Sequence, residues 1–118
     1  MAGMQALVNQ KWGKQGNPNP TYYKIAAAEY GATGSSSCNS SNGNAVGASC
    51  VFYDVTLGDI DVDCTGVSRC YEGRNGMLGV LSTTATAFAP AYKTGTGWDF
   101  ATGIGTVNAY NLVYNTDW

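Results

Sequence analysis

Histidine is absent from this sequence of 118 residues. Its absence excludes any Ser-His or Cys-His catalytic pair within the chain, because such pairs need an imidazole to take the proton of the nucleophile. Zinc is disfavoured for a related reason, since the cysteines form no Cys-x-x-Cys pair and no histidine is present to complete a tetrahedral site. Carboxylates, hydroxyls and backbone oxygens therefore remain as the groups that carry chemistry.

Charge is also scarce. Charged residues make up 12% of the chain and its formal net charge is −2, with no polybasic run, so neither nucleic acid nor an anionic membrane is indicated as a partner. No apolar run approaches the roughly 20 residues that span a bilayer. Residues 1–13 lack the basic flank and cleavage site of a signal peptide, so for an exported protein we expect the signal to lie outside this sequence.

The four cysteines fall in two local pairs, at positions 38 and 50 and at 64 and 70. An even count within Gly/Ser/Asn-rich segments indicates disulfides, for which three connectivities are possible. We favour Cys38–Cys50 and Cys64–Cys70, because short loops close at low entropic cost. Disulfides and a composition rich in Gly, Ser, Thr and Asn together predict a secreted protein.

Helical patterns open and close the chain. Apolar residues at helical spacing predict a first helix over residues 1–12, with a stripe so wide that it fits a helix buried on most sides. Asn19 as N-cap and Pro20 at the first helical position predict a second helix that stops at Gly31. Asn108 is expected to cap a final helix.

Strand signals are short and few. Residues 50–56 predict a buried strand ending at Asp54, and residues 78–92 contain one more short strand. Residues 65–77 are expected to form a polar loop. The length allows one domain, residues 1–118, and no internal repeat is present. The prediction is a mixed α/β domain with too few strands to cover its first helix.

Two further segments have polar patterns. Residues 58–64 alternate Asp59, Asp61 and Asp63 with aliphatic residues, but they lack the central glycine and distal glutamate of an EF-hand calcium loop. We interpret them as a strand-like loop with an acidic solvent face. Residues 31–50 are expected to form a loop, whose sequon Asn39-Ser40-Ser41 matters only in a host that glycosylates.

Glycines surround Asp99 in the segment KTGTGWDFATGIGTVN, residues 93–108. Because glycine costs backbone entropy on folding, such a cluster indicates positive φ or a close approach of the backbone to another group. Gly103 and Gly105 are assigned to the turn that leads into the final helix. Gly95 and Gly97 either form a tight turn beside a hydrogen-bonded Asp99 or present backbone carbonyls to a cation.

Several segments resemble the C-terminal end of the sedolisin family of serine-carboxyl peptidases, which includes the kumamolisins. Residues 1–26 are similar to the helix that follows the family's nucleophile motif and the segment after it. YDVTLG (53–58) and GTGWDFATGIGTVNAYNLV (95–113) match its two calcium-binding segments, and the order is that of the family. The insertions at 31–50 and 59–77 resemble those of the longer bacterial members.

The resemblance implies the fold class and a metal site. The fold would be α/β, the C-terminal part of a subtilisin-like fold with short strands, long disulfide-stapled loops and two to three helices. The family binds one Ca²⁺ through two aspartates, the carbonyl after the first aspartate and two glycine carbonyls. The matching positions here are Asp54, Val55, Gly95, Gly97 and Asp99. Calcium takes six to eight oxygen ligands and mixes carboxylates with carbonyls, so the donor types suit it.

The resemblance assigns none of the family's catalytic residues to this chain. The family's nucleophilic serine precedes the position that matches Ala2, and its acid–base pair lies further upstream, so we expect no catalytic residue here. An Asp54–Asp99 acid pair would leave the glycines unexplained. The expected function is the calcium-binding C-terminal portion of a secreted serine-carboxyl endopeptidase, with the upstream part as partner and peptide as substrate of the full enzyme.

Two alternatives remain from the composition and the first helix. A stand-alone, non-catalytic secreted structural protein would cover the apolar sides of that helix by self-association, as an oligomer or a filament. A lectin-like or wall-binding module is a minor alternative, suggested by the many tyrosines and tryptophans.

Overall fold

A computed structural model of the chain describes residues 1–73 and 78–118. Within these ranges it contains three α-helices, a 3-10 segment and five short strands. The helices are α1 (Ala2–Trp12), α2 (Asn19–Glu29) and α3 (Ala109–Tyr114), and the 3-10 segment is Ser40–Ala45. The strands are β1 (Phe52–Tyr53), β2 (Asp63–Cys64), β3 (Cys70–Tyr71), β4 (Gly79–Leu81) and β5 (Thr106–Val107).

The strands form two small antiparallel sheets. β1 pairs with β5, and Phe52 lies opposite Val107. The second sheet has the order β2-β4-β3, with Asp63 and Tyr71 both opposite Val80. The predicted combination of helices, short strands and long loops is confirmed at this level of description.

The ends of the helices follow from local side-chain chemistry. The Asn108 side chain accepts a hydrogen bond from the backbone N–H of Asn111 at 3.1 Å, which confirms the predicted cap of α3. The predicted N-cap of α2 is one residue too late, because Asn19 lies inside the helix. Pro18 is the N-cap and the helix has no side-chain cap, while the N–H of Asn19 donates to Oδ1 of Asn17 at 3.2 Å.

The core lies where α1, α2, β1 and α3 meet. Its largest fully buried apolar side chains are those of Phe52, Ile25, Leu112 and Val8. The ring of Tyr22 contacts Phe52 edge-on, with ring centroids 6.2 Å apart. Because Val8 of α1 and Leu112 of α3 belong to the same cluster of buried side chains, the core joins the two ends of the sequence.

The chain leaves most of the apolar stripe of α1 uncovered, as the shortage of strands predicts. Only Val8 among the residues of α1 is buried, whereas Leu7 is 50% and Trp12 39% exposed. α3 is the principal neighbour of α1 and has only six residues, which is too short to cover so wide a stripe. The apolar pattern thus identifies side chains suited to burial that the chain itself does not bury.

Both favoured disulfides are present. Cys38–Cys50 and Cys64–Cys70 join Cα atoms 5.7 and 5.8 Å apart. The predicted loop over residues 65–77 is wrong at Cys70–Tyr71, where β3 forms because the second disulfide holds it beside β4. Residues 74–77 of that loop lie outside the described residues.

Length and apolar character decide whether a helix can cross a membrane. In residues 1–73 and 78–118, none of the helices combines the length and the apolar character needed to cross a bilayer.

Candidate metal centre

Asp54 lies directly after β1 and is only 2% exposed. Its backbone N–H donates to the carbonyl of Cys38 at 2.8 Å, and its carbonyl accepts from the N–H of Ser40 at 2.9 Å. Its Oδ2 accepts the N–H of Gly97 at 2.8 Å. Its Oδ1 is buried and has no hydrogen-bond partner among residues 1–73 and 78–118. Leaving a buried charged oxygen unpaired costs more than the roughly 1–3 kcal/mol of a neutral group, so Oδ1 calls for a donor or a cation.

The carboxylate of Asp99 is half-buried and held by backbone donors. Its Oδ1 accepts from the N–H of Ala101 at 2.9 Å and from the N–H and hydroxyl of Thr102 at 2.8 and 3.1 Å. Its Oδ2 accepts the N–H of Gly95 at 2.9 Å. Burial acts to raise the pKa of Asp99, but these hydrogen bonds outweigh burial and lower it. Asp99 is therefore an anion at neutral pH, which suits a cation ligand better than a general acid.

The backbone geometry requires glycine at position 97 of the predicted ligand set but not at position 95. Gly97 is buried with φ +81°, and a Cβ added there would lie 2.6 Å from the carbonyl oxygen of Gly31. Gly95 has open space around its Cα and no positive φ. Both turn their N–H groups toward carboxylates. The carbonyls of Gly95, Gly97 and Val55 accept no hydrogen bond from the described part of the chain, which leaves them free to bind a cation.

Gly105 was assigned from the sequence to a turn, and its structural role is more specific. Its φ is +78°, and an added Cβ would collide with the carbonyl oxygen of Tyr53 in β1. Glycine at this position therefore allows the segment after Asp99 to approach the strand that precedes Asp54.

Negative charge accumulates around the side chain of Tyr30. Burial raises the pKa of the Tyr30 hydroxyl, and the carboxylates of Asp54, Glu29 and Asp99 raise it further. The hydroxyl donates to the carbonyl of Ile104 at 2.7 Å. Among the described residues, no lysine or arginine nitrogen lies within 4.0 Å of these carboxylates, and the salt bridge of Lys24 is with a different carboxylate, that of Asp117. The region thus holds three carboxylates without a paired protein cation.

A polar cavity of about 230 Å³ adjoins Asp54. It is lined by Thr33, Gly34, Ser35, Ser36, Asn39, Asp54, Thr56 and Thr96. Nδ2 of Asn39 donates to Oγ1 of Thr56 at 3.2 Å, and Oδ1 of Asn39 accepts the N–H of Ser41 at 2.9 Å. Neither Asn39 nor Thr56 belongs to the ligand set predicted from the sequence. The sequence signal for Asn39 is its position next to Cys38, in a segment predicted as a loop with a sequon.

The acidic segment after β1 has a different role. Both carboxylate oxygens of Asp61 accept the N–H of Tyr92, at 3.2 and 3.1 Å, and Oδ1 of Asp59 accepts the N–H of Asp61 at 3.1 Å. Asp59 and Asp63 are exposed. Ile60 and Val62 are exposed as well, at 56% and 65%, so the predicted division into an acidic solvent face and an aliphatic face is wrong. The carboxylates of Asp59 and Asp61 organise local turns instead.

Hydrogen bonds join the predicted ligands in two pairs, Asp54 with Gly97 and Asp99 with Gly95. Of the five predicted ligands, Asp54 lines the cavity and Val55, Gly95, Gly97 and Asp99 do not. Within the described ranges, no three side chains of histidine, cysteine, aspartate or glutamate gather in one place, so a metal here would depend on backbone carbonyls. The free oxygens are Oδ1 of Asp54, one lone pair on Oδ2 of Asp99, and the carbonyls of Val55, Gly95 and Gly97. Two carboxylates with three carbonyls are the oxygen ligands that calcium takes.

Comparison with known proteins adds no relative. A scan against protein-family models, a search of curated proteins and a search of solved structures each found no match. Function is therefore argued from the geometry and from the sequence segments quoted above.

Proposed function

We propose that this chain binds one Ca²⁺ beside Asp54 and that the ion stabilises the folded state. The observation that carries this proposal is the buried Oδ1 of Asp54, which lacks a partner among the described residues. The residue Asp54 also lines a polar cavity. The free carbonyls of Val55, Gly95 and Gly97 supply further oxygens. A cation would compensate the charge that Asp54, Asp99 and Glu29 together concentrate near Tyr30.

Calcium suits this donor set better than other common cations. Magnesium demands near-ideal octahedral geometry at about 2.0–2.1 Å and usually retains several waters, whereas calcium accepts six to eight oxygens in flexible arrangements. Backbone carbonyls from two separate loops form such a flexible arrangement. The ion would act through mass action, stabilising the fold by about 2.7 kcal/mol at a free concentration 100 times its Kd.

The same proposal gives the chain its biological setting. We propose that it is the calcium-binding C-terminal portion of a secreted serine-carboxyl endopeptidase of the sedolisin type. The support is the resemblance of residues 53–58 and 95–113 to that family's calcium-binding segments, together with the disulfides, which suit an oxidising compartment. The nucleophile and the acid–base pair would then belong to an upstream part, and this portion would not hydrolyse peptides by itself.

The exposed apolar face of α1 and α3 favours a partner that covers it. The two helices enclose a groove of about 450 Å³ lined by Leu7, Gln10, Lys11, Ala109, Tyr110, Val113 and Tyr114. The rings of Tyr110 and Tyr114 stack with centroids 4.5 Å apart, and Nζ of Lys11 lies 4.1 Å from the Tyr114 centroid. Contiguous apolar surface of this kind marks interaction sites. In a peptidase the upstream part would cover it.

The same face favours a second candidate function. A non-catalytic secreted protein would cover α1 and α3 with another copy of itself, in a closed oligomer or a head-to-tail filament. The two candidates differ in the behaviour of the isolated chain, because only self-association makes its mass depend on its own concentration.

Calorimetry tests the calcium proposal. Titration of CaCl₂ into the wild-type chain and into Asp63→Ala, whose exposed side chain does not line the cavity, is expected to give one-site binding. Asp54→Ala is expected to give none. Binding by Asp54→Ala equal to that of the wild type, or no binding by the wild type, would overturn the proposal.

A further inference from the structure

We infer that the Cys38–Cys50 disulfide and cation binding at Asp54 are thermodynamically linked, so that the cation protects this disulfide against reduction and reduction weakens cation binding. The inference rests on the proposed cation site. It assigns a part of that site, which the predicted ligand set does not include, to Asn39 inside the disulfide loop and to residues 33–36 just before it.

The first link is a backbone clamp on Asp54. The carbonyl of Cys38 accepts the N–H of Asp54 at 2.8 Å, and the N–H of Ser40 donates to the carbonyl of Asp54 at 2.9 Å. Asn39, between these two residues, forms a parallel bridge with Asp54. The bridging cysteine thus contacts the backbone of the candidate ligand directly, so a change in the position of Cys38 moves Asp54.

The second link is the wall of the cavity. Thr33, Gly34, Ser35 and Ser36, which precede Cys38, line the cavity together with Asn39. Oγ of Ser35 accepts the N–H of Cys38 at 3.3 Å, and Nδ2 of Asn42 donates to the carbonyl of Ser36 at 2.6 Å. The wall therefore takes its shape from contacts that surround the disulfide.

The disulfide is also the apolar anchor of this loop. Within residues 31–50, Cys38 and Cys50 are the buried residues. The remainder is polar residues, glycine, three alanines and Val46, all at least partly exposed. A segment of such composition cannot order itself by burying apolar surface. Opening the cross-link releases the loop-closure constraint and loosens the wall and the clamp together.

Thermodynamic linkage requires that reduction of the disulfide and binding of the cation oppose each other equally. A dithiol reagent reduces the disulfide by thiolate attack on one sulfur and second-thiol closure, giving two cysteine thiols and the oxidised cyclic reagent. If reduction lowers affinity for the cation by a given factor, bound cation disfavours reduction by the same factor. Couplings of this kind are about 5–150-fold.

The molecule contains its own control. Cys64–Cys70 joins β2 to β3 beside β4, and neither cysteine lines the cavity. General stabilisation of the fold by calcium would protect both disulfides, whereas a clamp on Asp54 would protect Cys38–Cys50 selectively. The comparison of the two bridges in one sample therefore separates the two explanations.

The test uses the wild-type chain with graded dithiothreitol in CaCl₂ or in EGTA, followed by alkylation and mass spectrometry of each cysteine pair. We expect calcium to reduce the opened fraction of Cys38–Cys50 at least about fivefold and that of Cys64–Cys70 less than twofold. Equal protection of both bridges, or of neither, in a sample in which calorimetry detects bound calcium would overturn the inference alone. Absence of calcium binding in calorimetry would instead overturn the proposed function on which it rests.

A pair of variants measures the reverse direction. Cys38→Ser/Cys50→Ser is expected to bind CaCl₂ at least about fivefold more weakly than the wild type, while Cys64→Ser/Cys70→Ser is expected to match the wild type. Equal affinities in both variants would contradict the linkage. Should the first variant fail to fold, the reduction experiment on the wild-type chain decides the question alone.

Discussion

The backbone N–H of Gly97 donates a 2.8 Å hydrogen bond to Oδ2 of Asp54, joining two segments that are 43 residues apart in the sequence. This bond fixes one oxygen of a buried carboxylate and leaves the other, Oδ1, without a partner in the described part of the chain. A site assembled from two loops in this way responds to changes in either loop. The predictions below separate the roles of its residues.

Alanine substitution distinguishes the two glycines of the site. Gly97→Ala would require a side chain at φ +81° with its Cβ 2.6 Å from the carbonyl oxygen of Gly31, so we expect a loss of about 1–3 kcal/mol in the free energy of unfolding. Gly95→Ala meets no atom within 4 Å and is expected to stay close to the wild type. Urea denaturation in EGTA measures both. Equal losses in the two variants would show that the loop geometry described here is wrong.

The lowered pKa of Asp99 predicts that the protein loses stability in acid. Burial opposes ionisation, but the hydrogen bonds from Gly95, Thr102 and Ala101 prevail and lower the pKa of Asp99 in the folded state below its ordinary 3.8. The stabilisation is therefore present above pH 3.8 and is lost as pH falls through the folded pKa. Asp99→Asn should show a flatter decline in melting temperature between about pH 4 and pH 2. The exposed Asp63→Asn is the control, and parallel curves for the wild type and Asp99→Asn would contradict the prediction.

Tyr30 predicts a loss of stability in alkali. The pKa of its hydroxyl is raised by burial and by the carboxylates of Asp54, Glu29 and Asp99 above the ordinary 10.0. Its contribution is complete below pH 10.0 and decreases as pH rises further, because the unfolded chain ionises first. Tyr30→Phe should lose about 1 kcal/mol at pH 7 with its bond to Ile104 and should decline less steeply above about pH 10. Urea midpoints from pH 8 to 11 test this, with the half-exposed Tyr92→Phe expected to retain the wild-type slope.

The exposed apolar face of α1 and α3 is expected to bind a dye that fluoresces on apolar surfaces. Leu7→Glu and Tyr110→Glu should each decrease the fluorescence of bound 1-anilinonaphthalene-8-sulfonate, since these side chains line the groove between the helices. Leu57→Glu is the control, because Leu57 is 74% exposed but does not line that groove. Fluorescence unaffected by the two groove variants would remove the groove as an interaction site.

Sedimentation equilibrium on the same proteins separates the two candidate functions. A mass that rises with protein concentration in the wild type and falls to the monomer value in Leu7→Glu supports self-association. A monomer at all concentrations favours coverage of the face by an upstream peptidase part.

The parts of the fold that depend on local chemistry were predictable from the sequence. Asn108 caps α3 because an asparagine before a helical pattern satisfies a free N–H within three residues. The disulfides followed from the low cost of closing short loops. The N-cap of α2 is one residue earlier than predicted because it is Pro18, whose side chain has no acceptor and therefore carries no capping signal.

The remaining features depend on contacts between distant segments. Asp54 and Gly97 were paired through a resemblance, whereas the participation of Asn39 in the cavity depends on how the disulfide folds its loop back onto Asp54. Periodicity identified α1, and the small number of strands predicted that the chain would leave most of its apolar stripe uncovered. A hydrophobic pattern records which side chains suit a core, and it contains no information on whether the covering surface belongs to the same chain.

Thermal unfolding of the wild type and Asp54→Asn, each with CaCl₂ and with EGTA, tests the central claim most directly. Calcium at about 100 times its Kd should stabilise the wild type by about 2.7 kcal/mol, which corresponds to a rise of roughly 10 °C in Tm. Asp54→Asn keeps an oxygen for Gly97 and removes the uncompensated charge, so in EGTA it should unfold within a few degrees of the wild type and should not respond to calcium. A wild-type Tm that is the same in CaCl₂ and EGTA, or an equal calcium response in Asp54→Asn, would contradict the calcium site.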